Sequence, residues 1–93
     1  MVHTRDFGLT LRLSLGTRVL NATRAYVLYE KPSGASGKIQ AELGQDYIQV
    51  VIPQGFFDEQ GYWSFQALVI GEGFELTGTP AQLYVSRRLW EER

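Results

Sequence analysis

Asp58-Glu59-Gln60-Gly61-Tyr62-Trp63-Ser64-Phe65-Gln66-Ala67-Leu68-Val69 is the stretch of sequence that decides the fold class. An acidic turn closes on a glycine, and a segment follows in which large apolar residues alternate with smaller or polar ones. Side chains in a β-strand point alternately to its two faces, so every second residue shares a face. One face of this strand carries Trp63, Phe65, Ala67 and Val69. The pattern predicts a half-buried strand that contributes a tryptophan to a core.

The same alternation recurs along the chain. Its clearest match is residues 7–15, where one face carries Phe7, Leu9, Leu11, Leu13 and Leu15. Further strands are predicted at 24–31, 38–43, 47–52, 62–70, 74–77 and 81–86, separated by turns that contain glycine or proline. About seven strands at this spacing are typical of an antiparallel β-sandwich. The sequence therefore predicts one all-β domain over residues 1–86.

The inward positions of these strands define the predicted core: Leu9, Leu11, Leu13, Val27, Tyr29, Ile39, Val50, Trp63, Phe65, Val69, Leu83 and Val85. Two turns carry distinctive residues, Pro32 with Gly34 and Asp58 with Gly61. Proline presets φ at the entry of a turn, and glycine tolerates positive φ. Gln66 lies on the face opposite Trp63, and we expect it to face solvent.

Composition excludes several classes of function. The 93-residue chain has no cysteine and a net charge of −1. Disulfides and thiolate metal sites are therefore excluded, and the balanced charge gives no electrostatic basis for binding nucleic acid or an anionic membrane. No apolar run approaches the roughly 20 residues of a membrane helix. The first residues lack a signal segment, which predicts synthesis and folding in a cytoplasm.

The sequence shows no catalytic constellation. Acid–base and nucleophilic catalysis need paired groups within hydrogen-bonding distance. His3 is the only histidine, it lies in an N-terminal segment expected to be mobile, and no serine or threonine has an evident histidine partner. A weak calcium site of Asp46, Asp58 and Glu59 is an open alternative, although no loop of spaced oxygen ligands exists. We predict a protein without catalytic residues, cofactor or metal.

Two segments are candidate interfaces. Residues 87–93 lie beyond the last strand as a predicted docking tail, in which the contact residues are Arg87, Arg88, Leu89 and Trp90. Tryptophan and arginine are enriched in interface hot spots, although a frayed end or a segment folded back on its own domain are the alternatives. Tyr26 and Leu28 form the second candidate, because apolar residues on an outer sheet face are usually covered by another copy or another protein.

Three motifs occur in a fixed order. Asp6-Phe7-Gly8 leads the first strand, Tyr29-Glu30-Lys31-Pro32-Ser33-Gly34 ends the second, and Phe57-Asp58 is followed by Gly61, Trp63 and Gln66. Together, over about residues 5–86, they resemble the small immunoglobulin-like domains found in structural proteins of tailed bacteriophages, such as the N-terminal domain of upper-baseplate proteins. Ser33 stands where that family usually has aspartate. The chain also ends soon after the domain, where larger relatives carry further modules.

The resemblance implies an immunoglobulin-like β-sandwich and a function in a virion. It implies a structural protein made in the host bacterial cytoplasm and built in many copies into the head, neck, tail or baseplate, capsid decoration included. Its implied partners are other virion proteins and further copies of itself in a ring or lattice. The alternatives are a carbohydrate-binding module for the host surface, with Tyr26, Tyr62, Phe56 and Trp90 as contacts, and an assembly chaperone absent from the finished particle.

Overall fold

The computed structural model describes residues 2–17, 19 and 21–89, which form nine β-strands and no helix. The strands are β1 (Val2–His3), β2 (Thr10–Ser14), β3 (Ala22–Glu30), β4 (Ser36–Gln40), β5 (Glu42–Leu43), β6 (Tyr47–Val51), β7 (Gly61–Gly71), β8 (Phe74–Thr77) and β9 (Ala81–Ser86). The predicted all-β class is confirmed.

The strands form two sheets that pack into a sandwich. Sheet A has six strands in the order β1-β9-β7-β3-β4, with β8 also paired to β7. Sheet B has three strands in the order β2-β6-β5. All pairs are antiparallel except β1 with β9. The long strand β7 is central to sheet A, because its first half pairs with β9 and its second half pairs with β8.

Nine strands are observed where about seven were predicted, and two local differences account for the additional strands. The predicted strand 38–43 is two strands, because the chain leaves sheet A at Ala41, whose N–H donates to Ala25 O (2.9 Å), and β5 then pairs in sheet B. The N-terminal segment, expected to be mobile, forms β1. Its pairing sets Val2 beside Val85, and the Thr4 N–H then donates to Ser86 O (2.8 Å).

The core lies between the sheets, and the alternation of apolar residues along the strands predicted most of its buried residues. Of the predicted core residues, seven are buried: Leu13, Val27, Val50, Trp63, Phe65, Val69 and Val85. Five are half-buried at the margins of the core: Leu9, Leu11, Tyr29, Ile39 and Leu83. Three strands of sheet B face a wider sheet A, so positions near the edges of the sandwich are only partly covered.

An aromatic residue outside the strands closes one end of the core. Phe57, in the crossover between β6 and β7, is only 1% exposed. Its ring meets that of Trp63 edge-on, at 5.3 Å between centroids and 90° between planes. Phe56 stands beside both rings, 5.3 Å from each. Strand periodicity does not extend into a crossover, which is why the sequence left Phe57 out of the core.

Candidate interaction surface

The two motif turns meet at one end of sheet A. Lys31 Nζ lies 2.9 Å from Asp58 Oδ2. The Ser33 backbone N–H donates to Glu59 Oε1 (3.0 Å), and the Ser33 hydroxyl donates to Glu59 Oε2 (2.9 Å). The buried Trp63 indole donates its Nε1–H to the Glu59 backbone oxygen (3.0 Å). We call these five residues the clasp, because they join the end of β3 to the start of β7.

Turn geometry holds the clasp in place. Gly34 has φ of 97°, and its N–H donates to Lys31 O (2.8 Å), which closes the turn. Gly61 has φ of 126°, and a Cβ there would lie 2.9 Å from the Pro32 ring. Glycine is therefore favoured at position 61 for two reasons. It adopts a φ that other residues rarely take, and it lets the proline ring approach the backbone.

Both carboxylates of the clasp are bound by donors within it. The hydrogen bond to Asp58 is the main cause that raises the pKa of the Lys31 ammonium above its ordinary value of 10.5. The Asp58 side chain is half exposed, so solvent screens this ion pair and its contribution to stability is small. Asp58 and Glu59, weighed from sequence as calcium ligands, instead bind Lys31 and Ser33. The described residues contain no group of three metal-ligating side chains.

The outer face of sheet A carries an apolar patch. Tyr26 and Leu28 of β3 point away from the core, as predicted from alternation, and both are half-buried. Register sets Tyr26 beside Leu68 and places Ile70 beside Arg24 in the next outward row. We call Tyr26, Leu28, Leu68 and Ile70 the outer-face patch. Alternation along β7 turns Leu68 and Ile70 outward, and the strand register shows that they adjoin Tyr26 and Leu28.

Two exposed tyrosines lie on the same face, nearer the clasp. Tyr62 and Tyr84 are 62% and 43% exposed, and their rings meet edge-on at 4.9 Å. A shallow depression of about 350 Å³, lined by Leu28, Glu30 and Ser64 among others, separates this pair from most of the outer-face patch. Tyr84 is not among the interface residues predicted from the sequence. Its signal was present, since alternation along β9 turns it away from the core.

Gln66 is not the solvated residue expected from sequence. It is half-buried, and its Nε2 donates to Gly78 O (2.9 Å). The Gly78 N–H in turn donates to Ala67 O (3.0 Å). These bonds fix the break between β8 and β9, where the strand leaves its pairing with β7 and resumes it at Ala81. Gln66 therefore shapes the rim of the depression.

The outer face of sheet B is polar by comparison. Its outward residues include Thr10, Arg12 and Ser14 on β2. The Arg12 guanidinium lies 4.2 Å from the Tyr47 ring centroid and donates to Gln49 Oε1 (3.0 Å). Charged and amide groups therefore make up most of this face, on which Val51, beside Thr10, is an exposed apolar residue. An antiparallel sheet that faces water normally has such a composition. The apolar residues of sheet A therefore distinguish one outer face of the sandwich from the other.

The described part of the predicted tail is partly folded back on the domain. The Arg88 N–H donates to Thr4 Oγ1 (3.1 Å), and its guanidinium donates to Asp6 Oδ1 (2.8 Å). This is the folded-back alternative, and it commits the Arg88 side chain to an intramolecular ion pair. Arg87 is exposed and Leu89 is 95% exposed. Trp90, the fourth predicted contact of the tail, lies outside the described residues.

Asp6 organises the two terminal segments. Its Oδ2 accepts the His3 backbone N–H (2.9 Å), and its Oδ1 accepts Arg88. The Asp6 pKa lies below its ordinary value of 3.8. The hydrogen bond from the His3 backbone N–H is the largest cause, and the hydrogen bond from Arg88 is the next. The His3 imidazole Nδ1 is 3.9 Å from Asp6 Oδ2, too far for a hydrogen bond. This carboxylate is thus occupied by structural donors.

A cleft of about 560 Å³ opens beside these segments and includes Thr4, Phe57 and Arg87 in its lining. Within residues 2–17, 19 and 21–89 there is no helix long and apolar enough to cross a membrane.

Comparison of the chain with protein-family models, with curated proteins and with solved structures finds no match.

Proposed function

We propose that this chain is a non-enzymatic structural protein of a bacteriophage particle, present in many copies and acting through contacts with neighbouring virion proteins. The observation that carries the proposal is the clasp. Two of the three motifs behind the resemblance are joined by direct bonds between residues 26 and 27 positions apart. These two motifs thus form one structural unit.

Strand order supports the immunoglobulin-like part of the proposal. The strands of that fold are conventionally lettered in chain order from A to G. Strands B, E and D lie in one sheet, and strands C, F and G lie in the other. Here β2, β6 and β5 correspond to the first set, and β3, β7 and β9 to the second. The strand β4, beside β3, occupies the place of the additional strand found in variable-type domains.

The use of the polar side chains supports a function in binding. Asp58 and Glu59 hold the clasp, and Asp6 holds the terminal segments. The outer face of sheet A combines the exposed Tyr62 and Tyr84 with the half-buried outer-face patch, so it carries more apolar and aromatic surface than the outer face of sheet B. A protein of this design works by burying that face against a neighbour.

Purified particles test the proposal. Virions induced from the strain whose genome encodes this chain are examined by mass spectrometry and cryo-electron microscopy. We expect the chain in stoichiometric amount and its sandwich in repeated density on the head, neck, tail or baseplate. Absence from purified virions, with presence in the infected-cell lysate, would instead identify an assembly chaperone and overturn the proposal.

One observation favours a second candidate, a carbohydrate-binding module. The exposed Tyr62 and Tyr84 stand beside a depression that contains the Glu30 carboxylate and the Ser64 hydroxyl. Aromatic rings next to hydrogen-bonding groups can hold a sugar ring. Binding to a host polysaccharide that Tyr62→Ala abolishes would support this candidate, and silence across a glycan array would remove it.

A further inference from the structure

We infer that the outer face of sheet A binds a second copy of this chain face to face, around a two-fold axis that crosses the strands at the level of Leu28. The inference rests on the proposed docking function and names the occupant of that surface. It follows from three features of the face: the order of its rows, the positions of its charges and its size.

Strand register divides the face into rows. The Leu28 row also contains Gln66 and Lys38. On one side of it lies the row of Tyr26 and Leu68, and on the other lies the row of Glu30 and Ser64. Next outward come Arg24 with Ile70 at one end and Tyr62 with Tyr84 at the other. In one half of the face Tyr26, Leu68 and Ile70 lie at the centre of their rows, between polar residues on the flanking strands, and the Lys38 ammonium lies 4.6 Å from the Tyr26 ring centroid. The depression and the tyrosines occupy the other half.

A two-fold axis through the Leu28 row exchanges these halves. The Tyr26–Leu68 row of each copy then covers the Glu30–Ser64 row of the other, where the depression lies. The exposed tyrosines of each copy cover Ile70 of the other. Because the operation is its own inverse, both contacts form twice, which is the condition for a closed dimer.

The charges of the face suit the same arrangement. Glu75 lies beside Ile70 on β8, so it comes within reach of the Tyr84 hydroxyl of the second copy. Arg24 comes near the Tyr62 ring, where a guanidinium is favoured. Glu30 and Lys38 lie in adjacent rows on adjacent strands, and across the axis each comes near the opposite charge of the second copy. The two acidic and two basic groups of this surface thus complement themselves.

The size of the face sets the expected strength. Residues 62 to 70 span about 27 Å at about 3.3 Å per residue, and four strands span about 19 Å at about 4.8 Å spacing. The face therefore offers about 500 Å² per copy and about 1,000 Å² per pair, where specific interfaces begin. Interfaces at this lower limit of size are typical of weak, transient contacts, so the dimer is sought at micromolar concentrations and above.

Sedimentation velocity of the full chain, from about 1 µM to several hundred µM, tests the inference. We expect a concentration-dependent shift from monomer to dimer that Leu68→Glu removes, with an unchanged circular dichroism spectrum. Val51→Glu is the matched control, because Val51 is 60% exposed on the outer face of sheet B, and it should dimerise like the wild type. A wild type that stays monomeric throughout, or a control that loses the dimer equally, overturns the inference.

A charge exchange tests the two-fold arrangement without removing an apolar residue. Lys38→Glu should weaken the dimer several-fold, and adding Glu30→Lys in the same chain should restore it. Failure of the double variant to recover overturns the arrangement. These results are separable from the virion test, since a chain absent from particles can still dimerise, and a chain found in particles can still be monomeric in solution.

Discussion

At the scale of single residues, the clasp depends on side chains that fit one another closely. The Ser33 hydroxyl and N–H both donate to the Glu59 carboxylate, and the backbone oxygen of the same residue accepts the Trp63 indole. Glu59 therefore connects a surface turn to the centre of the core. Serine suits position 33 for a physical reason, since a carboxylate there would face the carboxylate of Glu59.

Ser33→Asp tests that reason. The change replaces a hydroxyl donor by a negative charge beside Glu59, so we expect the free energy of unfolding to fall by about 1 kcal/mol. Chemical denaturation followed by circular dichroism measures it. Ser33→Ala is the control and should cost less, because the backbone N–H still donates. If Glu59→Gln fails to recover most of the loss in the double variant, charge repulsion is not the cause.

Gly61→Ala tests the approach of the proline ring. Both the φ of 126° and a Cβ at 2.9 Å from Pro32 oppose the change. We expect a loss of about 1–3 kcal/mol in unfolding free energy. Gly55→Ala is the matched control, since Gly55 also has a positive φ (85°) but has open space around its Cβ position. Equal losses in both variants would show that φ alone, and not the contact with Pro32, sets the cost.

At the scale of elements, the sequence predicted what is local and missed what depends on distant contacts. The alternation in β2, β3, β6 and β7 follows from side-chain periodicity, so their inward faces could be assigned. β1 could not be predicted, because two residues carry no period and the strand forms only by pairing with β9. The outward positions of Tyr26 and Leu28 were predicted, but the remaining residues of the outer-face patch required strand register.

Asp6→Asn tests how β1 and the segment after β9 are held. A lowered pKa in the fold means that the carboxylate contributes stability above its ordinary value of 3.8, and that this is lost as pH falls through the lower folded-state value. We expect the variant to be less stable by about 1 kcal/mol near neutral pH. The gap between wild type and variant should close as thermal unfolding is followed from about pH 5 to about pH 2.

Asp46→Asn is the control for this titration, because Asp46 is exposed on a turn and its backbone oxygen, not its carboxylate, accepts the Leu15 N–H. A gap between wild type and Asp6→Asn that is independent of pH would contradict an ionic role for Asp6. It would leave only the loss of hydrogen-bonding geometry as the source of the effect.

At the scale of the whole molecule, a small domain depends on a core that its two sheets do not close alone. Sheet A is wider than sheet B, and the crossover before β7 supplies Phe56 and Phe57 to the open end. A domain of this length has an unfolding free energy of only about 5–14 kcal/mol. A single buried aromatic residue is therefore a large share of the total.

Phe57→Ala tests the closure of the core. Removing a buried phenylalanine costs about 3–5 kcal/mol, since it loses both burial and packing. We expect a large fall in the urea midpoint, and Phe57→Leu should lose less. Phe7→Ala is the matched control, because Phe7 is 56% exposed and its removal leaves no cavity. A comparable loss in the two alanine variants would contradict the assignment of Phe57 to the core.

The setting of Trp63 gives the molecule an intrinsic optical probe. The indole is fully shielded from water, it donates to the Glu59 oxygen, and the Lys31 ammonium lies 5.8 Å from its ring. In a Trp90→Phe background it is the sole tryptophan of the chain. Its fluorescence emission would then be blue-shifted in the native protein and would move to longer wavelength whenever water reaches the ring. Detachment of the 31–33 turn could thus be timed separately from global unfolding.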